Sequence, residues 1–76
     1  RRAIEFYEQR LVIAREIGDQ RGEGKALYNT ALALDKLGDR TKAIAHAEAA
    51  LEILAQLESP DAERARTVLA QWRGEA

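Results

Sequence analysis

Apolar residues return along this chain at helical intervals, in four successive stretches. In the first, Ile4, Tyr7, Leu11 and Ala14 recur every three or four positions, and Phe6, Ile13 and Ile17 broaden the stripe. This predicts a helix over residues 2–17. The second stretch, residues 21–37, places Leu27, Ala31 and Leu34 on one face and Lys25, Asn29, Leu32 and Lys36 on another. The third, residues 40–57, reads Ala43, Ile44, Ala47, Ala50, Leu51, Leu54 and Leu57. Small and large residues mix along that face, which lets two helices approach closely. The fourth carries Ala62, Ala65, Leu69 and Trp72, with Arg64, Thr67, Gln71 and Arg73 directed elsewhere, and fades at Gly74. Alternation of period two is absent and β-branched residues are scarce, so no strand competes.

The boundaries carry their own chemistry. Ile17-Gly18-Asp19-Gln20 returns as Leu37-Gly38-Asp39-Arg40. Glycine takes the left-handed conformation that ends a helix, and aspartate caps the next one. Gly22 and Gly24 weaken the first turns of the second helix and leave its start less defined. Ser59-Pro60-Asp61 is a third start signal: serine caps, proline suits the first helical position, and aspartate meets the positive end of the helix dipole. Connections this short make consecutive helices antiparallel neighbours, so the chain reads as two helical hairpins side by side.

A longer echo overlies the helices. Ala3-Ile4, Glu8, Leu11 and Ile13 are matched by Ala43-Ile44, Glu48, Leu51 and Ile53, a period of about 40 residues. Periods of this size mark stacked repeats rather than a closed globule.

Composition narrows the picture. The 76 residues make one small domain. Its core is marginal, since ordering costs about 1.5 kcal/mol per residue. Apolar residues are 46% of the chain but aromatics only 5%, so alanine and leucine carry the burial. Charged residues are 33%, balanced to a net charge of −1, which argues against capture of nucleic acid. The chain has no cysteine, hence no disulfide and no thiolate metal site, and the expected setting is reducing and cytoplasmic. No apolar run nears the roughly 18 residues of a membrane span, and no signal-peptide pattern is visible. The helical pattern is already under way at Arg1, and the expectation is a piece of a longer protein.

These residues resemble the tetratricopeptide repeat. Leu27, Ala31, Leu37-Gly38-Asp39, Ala43-Ile44 and Ala50-Leu51 match that family's pattern in order and spacing. The period near 40 is similar to the longer variety in kinesin light chains and in bacterial arrays beside signalling ATPase modules. Ala14-Arg15-Glu16-Ile17-Gly18-Asp19 looks like the latter. The resemblance implies an all-α fold, a right-handed α–α superhelix fragment of four antiparallel helices in two hairpins. Residues 1–18 then correspond to the second helix of a preceding repeat, 21–57 to one complete repeat, and 60–74 to a C-terminal capping helix. The match covers about three quarters of the chain. Leu27 and Leu34 replace the usual aromatics, Ala47 replaces a large residue, and Arg10 stands where Ala50 stands one repeat later. The fourth helix is out of phase: Thr67 and Gln71 fall forty residues after Leu27 and Ala31, and Arg64, Arg66 and Arg73 solvate it. That is the character of a terminal cap.

The family binds proteins or peptides on a concave side lined by the first helix of each repeat. The resemblance implies that Lys25, Tyr28, Asn29, Leu32, Asp35 and Lys36 line it here. Asparagine suits such a groove because its amide both donates to and accepts from a peptide backbone. The bland alternative is a solvated helix face. Neither catalytic residue, metal nor cofactor is expected. His46 is the only histidine and has neither nucleophile nor ligand set beside it in sequence. The pairs Glu5-Glu8 and Asp61-Glu63 read as solvated or ion-paired. Gly22-Glu23-Gly24-Lys25 lacks the spacing of a phosphate loop. The reading is an interaction scaffold for a protein or peptide partner, without nucleic acid or membrane. The alternatives are a self-associating or array-terminating module, and a sensor arm of an upstream signalling ATPase. The broad apolar surface of the first helix further suggests a two-fold homodimer through it, with helix exchange as a route.

Overall fold

Three turns at 20-residue spacing set the architecture. The computed structural model describes residues 2–74, and Arg1 of the expected 1–18 segment lies outside them. The elements are α1 (Arg2–Ile17), α2 (Gln20–Lys36), α3 (Arg40–Gln56) and α4 (Asp61–Trp72), within one or two residues of the ranges the periodicity predicts. After α1 the chain turns at Gly18 (φ 75°), where Asp19 N–H bonds Ala14 O at 2.8 Å and Gly18 N–H bonds Arg15 O at 3.3 Å. After α2 the same pair of bonds forms at Gly38 (φ 87°), from Asp39 to Leu34 at 2.9 Å and from Gly38 to Asp35 at 3.0 Å. Both are six-to-one and five-to-two closures around a left-handed residue. Asp19 and Asp39 then cap the following helices, accepting from Gly22 N–H at 3.0 Å and Lys42 N–H at 3.2 Å.

The third turn repeats this geometry without a glycine. Ser59 N–H bonds Leu54 O at 2.9 Å, Glu58 N–H bonds Ala55 O at 3.0 Å, and Glu58 holds φ 54°. A side chain in this region is strained by contact between its Cβ and the backbone. Ser59 Oγ accepts from Asp61 N–H at 3.2 Å, and Pro60 already has helical angles of −61° and −20°.

Each helix packs on the next: α1 on α2, α2 on α3, α3 on α4. The result is a slab with extents of 37 × 30 × 14 Å. The interior is mostly alanine. Ala31, Ala43, Ala47, Ala50, Leu54 and Ala65 are fully enclosed. One cluster joins Leu27, Ala50, Leu54 and Ala62; a second joins Ala31, Ala47 and Leu69. The helix α2 buries a second strip, Ala26 and Thr30, beyond the single stripe its periodicity predicts, because it is flanked by both α1 and α3. The Thr30 hydroxyl donates to Ala26 O at 2.7 Å, so its burial strands no polar group.

Trp72 packs beside Ala47 and Leu69 but remains half-buried, where a tryptophan sealing the last hairpin would be largely shielded. The Arg40 guanidinium stands 5.5 Å from its ring centroid.

At Gly24 helices α2 and α3 approach closely. A Cβ there would stand 2.8 Å from Leu54 Cδ2 and 3.0 Å from Leu54 Cγ. Leu54 is wholly enclosed and has nowhere to retreat. Alanine would ordinarily stabilise a helix interior by about 1 kcal/mol over glycine. Gly24→Ala is instead expected to destabilise by about 1 kcal/mol through overpacking. In the Leu54→Ala background the same change should become favourable, a sign reversal that a double-mutant cycle in urea measures. At the third turn, Glu58→Gly should stabilise by about 0.5–1 kcal/mol by relieving the left-handed residue. An unchanged or lower denaturation midpoint would contradict that account of the turn.

Candidate functional site

The α2 positions 25, 28, 29, 32 and 36 share one side of a helix by their spacing. Lys25 and Lys36 are exposed at its two ends, and Tyr28, Asn29 and Leu32 are half-buried between them. Linked hollows run along this strip. One of about 200 Å³ lies between α2 and α4, lined by Lys25, Tyr28, Asn29, Leu54, Asp61 and Arg64. A second, of about 280 Å³, lies toward α1, where Phe6, Tyr7 and Arg10 face Gly22, Lys25, Ala26 and Asn29. A third, of about 240 Å³, continues to the C-terminal end of α2 with Tyr7, Asn29, Leu32, Ala33 and Lys36. Asn29 borders all three. Tyr28 opens a fourth hollow with Glu63, Arg64, Thr67, Val68 and Gln71 of α4.

Asp35 sits apart from this row. Its carboxylate accepts from Arg40 Nε at 2.5 Å, across the turn between α2 and α3. The other five residues named from the sequence share the hollows. Helix spacing alone omitted the contributors from other helices, above all Tyr7, Asp61 and Arg64. Tyr7 and Arg64 fall on other faces by the periodicity of their own helices.

The charges around the strip are asymmetric. Five cations are paired with carboxylates: Arg15 with Glu23 at 3.0 Å, Arg40 with Asp35, Lys42 with Asp39 at 4.0 Å, Arg66 with Glu63 at 2.8 Å, and Arg73 with Glu48. Lys25, Lys36, Arg64 and Arg10 line the hollows, and none is in an ion pair among the described residues. Exposed pairs contribute little stability, but unpaired cations in a concave strip set its potential. Asp61 and Glu63 are the acidic residues lining these hollows, and Glu63 is already engaged by Arg66.

His46 lies half-buried on α3, its Nδ1 2.9 Å from Lys42 O in its own helix. Among the described residues no group of three His, Asp or Glu side chains is placed to hold a metal ion. No described helix is long and apolar enough to cross a membrane. No protein-family model matches the chain, and neither a curated protein nor a solved structure shows significant similarity to it. The described residues form a small all-α domain of four helices packed in sequence.

Asn29 is half-buried on the hollows rather than in the core. Asn29→Ala should therefore change unfolding free energy by no more than about 0.5 kcal/mol. A loss near that of a core truncation, measured by chemical denaturation, would make Asn29 a packing residue instead.

Proposed function

We propose that this chain is a tetratricopeptide-type array fragment that binds an extended, acidic peptide segment along the α2 strip and performs no chemistry of its own. The observation that carries the reading is the row of hollows around Asn29, edged by Lys25, Lys36, Arg10 and Arg64 without carboxylate partners among the described residues. An extended peptide advances about 3.3 Å per residue. Lys25 and Lys36 are eleven residues apart on a helix rising 1.5 Å per residue, so the strip accommodates about five peptide residues. Asn29, near its middle, is suited to the peptide backbone, and the cations to acidic side chains or a terminal carboxylate.

A second reading, an array-terminating module, is favoured by the polar character of α4, where Glu63, Arg64, Arg66, Thr67 and Gln71 are all exposed. It is compatible with the first, since a terminal hairpin still presents its strip.

Peptides of matched length and opposite charge, titrated by calorimetry or fluorescence anisotropy, test the proposal. Acidic peptides should bind with an affinity that falls as salt rises. Lys25→Ala and Arg64→Ala should each weaken binding by about threefold or more without a change in melting temperature. Equal affinity for acidic and basic peptides, or full retention in both variants, would remove the strip from the site.

A further inference from the structure

The hollow between α1 and α2 differs from its neighbours in what lines it. Phe6, Tyr7 and Arg10 of α1 face Lys25 and Asn29 of α2 around about 280 Å³. Its lining includes no carboxylate, whereas the hollows against α4 include Asp61 and Glu63. Asp19 borders the adjoining hollow shared by Phe6 and Arg10, but its carboxylate accepts from Gly22 N–H in capping α2. Neither Arg10 nor Lys25 is in an ion pair among the described residues.

The same hollow is aromatic. Phe6 and Tyr7 meet edge to face, with ring centroids 5.9 Å apart and ring planes at 64°. The Arg10 guanidinium stands 5.7 Å from the Phe6 centroid. A guanidinium held against a ring keeps its N–H groups for an oxyanion. Tyr7 and Asn29 are half-buried, while Phe6, Arg10 and Lys25 are exposed, so the rings and cations stand open to a guest.

Two cations and two rings in one hollow select among anions. A side-chain carboxylate brings a single charge and covers no ring. A phosphate monoester brings a charge of about −1.5 to −2 and three acceptor oxygens, enough to engage both cations. In phosphoserine that phosphate lies close to the peptide backbone and leaves the rings uncovered. In phosphotyrosine it lies at the far end of a ring, and an aromatic guest adds to an edge-to-face pair. Asn29 borders this hollow and the next one along α2, toward Lys36, so a backbone that follows α2 from one to the other passes its amide.

We infer that the hollow between α1 and α2 takes a phosphotyrosine side chain of the bound peptide, its ring against Phe6 and Tyr7 and its phosphate between Arg10 and Lys25. The inference rests on the peptide-binding reading of the α2 strip and names the side chain that the α1 side of that strip selects.

The probes are three acidic peptides of equal length, identical except at a central residue that is tyrosine, phosphotyrosine or phosphoserine. Each is titrated calorimetrically into the 76-residue chain and into its Arg10→Gln and Phe6→Ala variants, both changes at exposed positions. The phosphotyrosine peptide should bind about tenfold or more tightly than the tyrosine peptide. Phosphoserine should give a smaller gain. Arg10→Gln should remove most of the phosphotyrosine gain, and Phe6→Ala should weaken the phosphotyrosine peptide while leaving the phosphoserine peptide unchanged. Equal affinity for the tyrosine and phosphotyrosine peptides would overturn the inference and leave the acidic-peptide reading standing. An equal gain from phosphoserine, or a full gain in Arg10→Gln, would overturn it as well. Binding by none of the three peptides would remove both the inference and the reading beneath it.

Discussion

The close approach of α2 to α3 is the constraint on which the rest of this structure depends. It is made by residues with little or no side chain, Gly24 and Ala31 on one helix and Ala43, Ala47 and Ala50 on the other, with Leu54 filling the space Gly24 leaves. Alanine buries little area per residue, so such an interface gains stability through close dispersion contact along the helix rather than through a few large side chains. The two helices that meet this closely bring their neighbours with them. With α1 and α4 held on either flank of the pair, the strip from Lys25 to Lys36 becomes the floor of a row of hollows.

The turns were the most legible part of the sequence because each is written in two adjacent residues. Gly18-Asp19 and Gly38-Asp39 state a helix end and a helix start together, and the backbone follows them bond for bond. The third turn was legible at Ser59-Pro60 and hidden at Glu58. There the turn closes on a left-handed glutamate that local preference would not choose. Gly24 is hidden in the same way. Its effect on helix propensity is local and visible, but its purpose lies thirty residues away in Leu54, which no single-helix pattern reveals.

The candidate site shows the same division. Lys25, Tyr28, Asn29, Leu32 and Lys36 share a face by helical spacing on α2, and the family resemblance singles that face out. The residues that α1 and α4 add depend on how three helices are set side by side, and the displaced apolar phase of α4 hid Arg64 among residues read as solvated. Asp35 illustrates the converse: its spacing admits it to the strip, while Arg40 across the turn holds it elsewhere. What sets the strip apart is that Lys25, Lys36, Arg10 and Arg64 gather around the hollows without carboxylate partners among the described residues.

Reversing the charge of that strip tests the proposal most directly. The double variant Lys25→Glu with Arg64→Glu alters two exposed residues and leaves the alanine interior intact. Its preference between acidic and basic peptides of equal length can be measured beside that of the unaltered chain at low salt. The account predicts that the preference inverts, from acidic to basic, while the melting temperature stays within a few degrees. An unchanged preference in a folded double variant would contradict it.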